Sequence, residues 1–191
     1  MIIMVLSRSY QKFIFYFIYK TRKDISGGGI GFFVREGIEY EILDEPSIFE
    51  ARIHESLFIR VTGGNNNGIV IGNVYRPNTH PFCNIKKSTS LLSKSIEHIR
   101  QRYKNDTIII VGDFNIDLVS DENNSTSDFI SELTSKGFLE LITVPTRVTD
   151  TSETLLDHIW ASTSYCSTSG VLDSGISDHY STFLLLEQKI K

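Results

Sequence analysis

Two short clusters in this chain carry side chains suited to hydrolytic chemistry. The first, Val111-Gly112-Asp113-Phe114-Asn115-Ile116-Asp117-Leu118, follows the β-branched run Thr107-Ile108-Ile109-Ile110. The second, Ile176-Ser177-Asp178-His179-Tyr180, stands just before the apolar run Thr182-Phe183-Leu184-Leu185-Leu186. Asp113 supplies an acceptor that can orient or deprotonate a water, and Asn115 an amide that can hold a phosphate oxygen. His179 adds an imidazole, which is most useful when a nearby carboxylate fixes its tautomer. Hydrolysis of a phosphodiester needs such an activated water, a cation to offset phosphate charge, and donors to the nonbridging oxygens.

Both clusters abut strand-like segments, so the sequence places them at strand ends, where open α/β sheets tend to gather ligands. Further strands are expected at Ile30 to Val34, Ile38 to Leu43, Leu57 to Val61, Ile69 to Tyr75, Thr107 to Val111, Phe138 to Ile142, Leu155 to Ala161 and Thr182 to Leu186. Gly63-Gly64-Asn65-Asn66-Asn67-Gly68 reads as a hairpin turn, and Gly27-Gly28-Gly29 as a turn into a strand. Ile85, Leu92, Ile96, Ile99 and Tyr103 recur at helical steps and predict a helix from about Ile85 to Tyr103. A second helix through Phe129, Ile130 and Leu133 is expected to be capped by Ser125 or Thr126 and to end at Gly137.

The 191 residues fit a single domain, with no linker or internal repeat to divide it. A chain with 40% hydrophobic and 22% charged residues is ordinarily globular. Its net charge of −4 excludes a strongly basic DNA clamp. It leaves room for a local basic rim from Arg76, Lys86, Lys87, Arg100, Arg102 and Arg147. Cys83 and Cys166 have no metal-ligand spacing and suit a reducing compartment. The apolar runs Met1 to Leu6 and Phe13 to Tyr19 are short and separated by polar residues, so neither a signal nor a membrane span is expected. An aromatic-rich strand and an intracellular location, nuclear or cytoplasmic with no membrane partner, follow from that reading.

The order of motifs resembles the endonuclease/exonuclease/phosphatase superfamily. Beyond GDFN and SDH, the chain carries Gly72-Asn73-Val74-Tyr75-Arg76-Pro77, Pro145-Thr146-Arg147 and Thr154-Leu155-Leu156-Asp157-His158-Ile159. With Gly27 to Arg35, these are most similar to the endonuclease domain of LINE-like (non-LTR, jockey-type) retrotransposons. The resemblance implies a four-layer α/β sandwich of the deoxyribonuclease-like type, with two packed sheets and helices outside. It also implies Mg²⁺ or Mn²⁺ as cofactor, DNA as partner, and a reverse transcriptase domain in the complete ancestral element.

Residue by residue, the resemblance assigns Asp113, Asn115, Asp157, His179 and Tyr75 to catalysis. Asp157 partners His179, and Tyr75 stands near the phosphate. Asp178 is the implied metal ligand, while Thr146, Arg76 and Ser177 are assigned to substrate binding. One departure is plain, because no acidic residue and no Asn precede Asp24. Family members carry an Asn-bearing strand and then a Glu-bearing, metal-binding strand ahead of the aromatic strand. The expectation is therefore a sandwich lacking its first one or two strands, with weak metal binding and impaired nuclease activity. A catalytically silent remnant or binding module, and a phosphomonoesterase of the same superfamily, are the alternatives.

Overall fold

The computed structural model describes residues 14–22, 29–62, 67–78, 84–119, 124–162, 167–175 and 177–186. The Met1 to Leu6 run, Gly27-Gly28, most of the 63–68 turn and both cysteines lie outside them. The described strands are β1 (Phe15–Lys20), β2 (Ile30–Arg35), β3 (Tyr40–Leu43), β4 (Phe49–Glu50), β5 (His54–Val61), β6 (Ile69–Tyr75), β7 (Thr107–Asp113), β8 (Leu139–Glu140), β9 (Arg147–Val148), β10 (Glu153–Thr154), β11 (Asp157–Ala161), β12 (Ser167–Leu172) and β13 (Ser181–Leu186). The helices are α1 (Ile85–Arg102), between β6 and β7, and α2 (Asn124–Ser135), between β7 and β8.

Seven strands form one sheet in the order β3-β5-β6-β7-β11-β8, with β4 also paired to β5. All its pairings are antiparallel except β6 with β7, which are joined through α1. That crossover is what a parallel pair requires. Helix α1 forms because its apolar residues share one stripe: Leu92, Ile96 and Ile99 are buried, Asn84 caps its start, and Arg100 and Arg102 sit where the helix dipole favours cations. Helix α2 begins at Asn124, so Ser125 and Thr126 fall in its first turn rather than at its cap.

Both helices cover one face of the sheet. There Phe58, Val70, Ile108, Ile110 and Trp160 from the strands pack with Ile96, Ile99, Phe129 and Leu133. The opposite face is covered by two separate hairpins. β1–β2 sets Ile30, Phe32 and Val34 on Leu57 and Ile59. β12–β13 sets Val171, Leu184 and Leu186 on Ile109, Val111 and Ile159. The described residues thus supply three layers of an α/β sandwich: helices, a large sheet and a split hairpin layer. The polar segment Ser167–Leu172 is a strand that hydrophobic patterning does not mark.

Side chains alternate between faces along a strand, so register fixes which residues meet. Glu55 pairs with Tyr75, Tyr75 with Asp113, and Asp113 with Asp157. These four form one lateral row at the end of β6 and β7, on the hairpin side. Gly112, paired with His158, has φ +151, and a Cβ there would lie 1.8 Å from the Val74 carbonyl oxygen. Only glycine lets β7 approach β6 closely enough to finish that row.

Candidate active site

The row brings Asp113 and Asp157 together, and the segment before β13 adds His179 above them. His179 is positioned by backbone pairing rather than by a strand of its own. It forms an isolated antiparallel bridge with Arg147, and Tyr180 N–H donates to the Thr146 carbonyl at 2.7 Å. Its Nδ1 lies 2.8 Å from Asp157 Oδ2. One donor atom from each of Asp113, Asp157 and His179 lies within 4.8 Å of the other two.

Thr146 organises the pair from below. It is fully buried; its hydroxyl accepts from the amides of Leu156 (3.0 Å) and Asp157 (2.9 Å) and donates to Asp157 Oδ2 at 2.9 Å. With both amides donating to it, the hydroxyl proton has Asp157 as its acceptor. The carboxylate accepts in turn, so the proton shared with His179 belongs to Nδ1 and the imidazole's Nε2 is left for other partners. Thr146 therefore supports Asp157 from inside the protein, and the expected substrate contact from its hydroxyl is not what the geometry provides.

Asp113 sits beside Asp157, and its environment is unfavourable to charge. Burial, reinforced by the Asp157 carboxylate, pushes its pKa up to about 6, while the Asn115 amide, His179 and Arg76 pull the other way. Asn115 takes a left-handed backbone, φ 49, which Asn tolerates better than most residues. Its N–H donates to Asp113 Oδ1 at 3.0 Å, and its Nδ2 donates to the Arg76 carbonyl at 2.9 Å. Tyr75 closes the row, half-buried against the β1–β2 core.

Other expected site residues stand elsewhere. Asp178, taken as the metal ligand, is outside the cluster: its carboxylate accepts from Arg147 Nε at 2.7 Å, and that guanidinium holds its pKa below the usual range. Residues 178 and 179 project differently because the bridge with Arg147 turns His179 inward. Arg76, taken as a substrate contact, is 3% exposed and points into the protein. Ser177 is exposed and exchanges hydrogen bonds with the His179 backbone at 3.0 and 3.1 Å, shaping the turn that presents the imidazole. Arg147 is the cation that the motifs undersold. Thr146 points inward, so its neighbour in the same motif must point outward, and Arg147 stands part-exposed on the rim.

The cluster is suited to a hard divalent cation. Two carboxylates face one another at its centre, and Mg²⁺ commonly needs only one or two carboxylates, completing its shell with water. Asp113 and Asp157 are thus the donors that fit, with His179 as a neighbour rather than an oxygen ligand. The shallow groove at the opposite end of the strands, lined by Arg100, Tyr103 and Asp106 among others, holds no comparable group among the described residues; Asp106 is committed to Arg60 at 2.5 Å and to the Gly68 amide at 2.8 Å.

Residues 6–179 match the model of the Endonuclease/Exonuclease/phosphatase family, and the chain belongs to that family. Among solved structures, it is similar to the endonuclease domain of TRAS1, a telomere-specific non-LTR retrotransposon. That likeness has TM-score 0.69 and 12% identity, covering 92% of this chain and 81% of the other. It is also similar to the mannosyl-6-phosphatase of Bacteroides thetaiotaomicron (TM-score 0.61, 18% identity, 92% and 77% covered). A third neighbour is D. rerio TDP2 complexed with single-strand DNA product (TM-score 0.53, 15% identity, 87% and 74% covered). No curated protein matches the chain by sequence. These likenesses establish the deoxyribonuclease-like fold. Among the described residues, no helix is long and apolar enough to cross a membrane.

Proposed function

We propose that this chain is a retrotransposon-derived endonuclease domain that hydrolyses DNA phosphodiester bonds with the help of Mg²⁺. The observation that carries the reading is the convergence of Asp113, Asp157 and His179 from three separate segments. The similarity to the TRAS1 endonuclease favours DNA, and the TDP2 complex with a DNA product supports the same substrate class.

In this reading Asp113 acts on water. Its carboxyl, half-buried beside Asp157, orients the water and accepts its proton as the water oxygen bonds to phosphorus. His179, its ring fixed by Asp157, presents Nε2 to the phosphate and, as the doubly protonated imidazolium, gives its Nε2 proton to the departing alkoxide as the P–O bond breaks. Arg147, on the rim, offers a guanidinium matched to phosphate oxygens. Asp113 and Asp157 would hold a divalent cation, which when bound would offset charge on the phosphoryl oxygens.

We infer that this cation is held weakly. Asp157 Oδ2 already accepts from Thr146 and His179, and Asp178 is paired with Arg147. Activity should therefore rise with Mg²⁺ without early saturation. The test is plasmid nicking at matched salt, titrating Mg²⁺, with Asp113→Ala as the control for contaminating nuclease. Nicking that persists undiminished in Asp113→Ala, or turnover of sugar phosphates without DNA cleavage, would remove the endonuclease reading.

A further inference from the structure

We propose that Arg76 is a positioning residue, which locks the loops after β6 and β7 together so that the Asn115 side-chain oxygen and the Asp113 carboxylate address the same water. The inference rests on the hydrolytic reading of Asp113. It reverses the role that an Arg beside a site Tyr invites, namely direct contact with phosphate.

At least four hydrogen bonds join the two loops. The Arg76 amide donates to the Asp113 carbonyl at 2.9 Å, and the Asn115 side chain donates back to the Arg76 carbonyl at 2.9 Å. The guanidinium supplies the other two: Nε donates to the Phe114 carbonyl at 2.6 Å, and Nη2 donates to the Asn115 carbonyl. A planar fork is suited to two carbonyls in succession along a bent backbone. Arg76 is 3% exposed, so its guanidinium is committed to the protein interior rather than presented to solvent.

The lock also accounts for the left-handed Asn115. Neither loop belongs to a sheet beyond Tyr75 and Asp113, and a residue at φ 49 has no intrinsic preference to stay there. The two carbonyls that flank the Asn115 amide, those of Phe114 and Asn115 itself, are the ones Arg76 holds. Fixing both ends of that residue fixes the direction of its side chain. With Nδ2 committed to the Arg76 carbonyl and the backbone amide to Asp113 Oδ1, Oδ1 is the Asn115 atom assigned to accept from the water that Asp113 activates.

Arg76→Met and Arg76→Lys test this by two independent measurements. In the wild-type chain, the Nδ2 protons of Asn115 should exchange slowly in NMR. In Arg76→Met with a dispersed, folded spectrum they should lose roughly tenfold or more of that protection. On a supercoiled-plasmid or oligonucleotide substrate, kcat should fall by roughly tenfold to a hundredfold with KM nearly unchanged. Lys, which reaches one carbonyl with its ammonium, should restore only part of both. If Arg76→Met does not fold, Arg76→Lys is judged alone against the same two criteria. A raised KM with kcat intact would establish a phosphate contact and overturn the lock, as would unchanged Asn115 protection. Absence of cleavage by the wild-type chain would refute the nuclease reading alone, leaving the exchange measurement to decide the lock.

Discussion

In Asp157-His158 the aspartate reaches the site and the histidine is buried behind the sheet, whereas in Asp178-His179 the histidine reaches the site and the aspartate turns out to Arg147. Asp157 and His158 lie in β11, where alternation forces one residue to each face. His158 is stacked on Phe114 at 4.8 Å, its Nε2 is 2.9 Å from the Ile116 carbonyl oxygen, and burial lowers its pKa to about 4. Asp178 and His179 lie in a turn, where the bridge to Arg147 decides the projection. The same dipeptide thus yields half a site each time, and backbone context decides which half.

The sharpest way to break the comparison is to truncate each histidine. His158→Ala removes a fully buried ring and leaves a cavity and an unpaired carbonyl, so it should cost about 3 to 5 kcal/mol in urea denaturation. His179→Ala should leave the midpoint almost unmoved while abolishing nicking. Equal losses of stability would mean that the two imidazoles do not differ as described.

Acid should act on the buried histidine next. The unfolded chain takes up a proton near pH 6.5, whereas His158 in the fold resists until about 4. The unfolded state therefore binds more protons in that window. Stability contributed by neutral His158 is present above about 6.5 and is lost as pH falls toward 4, by up to about 3 kcal/mol. A wild-type profile minus a His158→Phe profile should isolate the slope.

Asp113 should show the opposite sign. Its folded pKa is raised to about 6 from 3.8, so its favourable contribution exists below the unfolded value and is lost as pH rises through 6. Asp113→Asn should therefore stabilise the chain by about 1 to 3 kcal/mol at pH 8, with the gain vanishing near pH 4. Thermal melts at the two pH values measure it. The smallest effect belongs to the exposed aspartate: Asp178→Asn should leave stability at pH 7 unchanged, because an exposed ion pair contributes little.

Legibility in the sequence followed the physics of each segment. β6 spans Ile69–Tyr75 as expected, and α1 ends within a residue of the expected helix, because apolar residues recur at strand or helical spacing through both. β5 starts at His54 rather than Leu57, since His54, Glu55 and Ser56 are polar yet buried, bonded respectively through Nδ1 to Ser88, to Arg22 and the Gly29 amide, and to Ile48. No pattern of hydrophobicity announces such residues, because their partners lie 8 to 34 positions away. In the site, the types and order of Asp113, Asp157 and His179 were readable. The inward turn of Thr146 and Arg76 was not, for both depend on carbonyls and amides contributed by other loops.

The split layer of hairpins places the reactive groups in two units of unequal permanence. Asp113 and Asp157 belong to the large sheet, paired with one another across β7 and β11, and that sheet is backed by the helices. His179 is carried on the approach to β13, whose hairpin leans on the sheet through Val171, Leu184 and Leu186 without pairing to it. Such a hairpin can lift away by local unfolding while the sheet stays intact. Backbone exchange around Tyr180 should then outpace that of Ile110 and Trp160, and limited proteolysis should nick near β12 first. The imidazole would depart with its strand, leaving a folded core that keeps both carboxylates and has lost its acid.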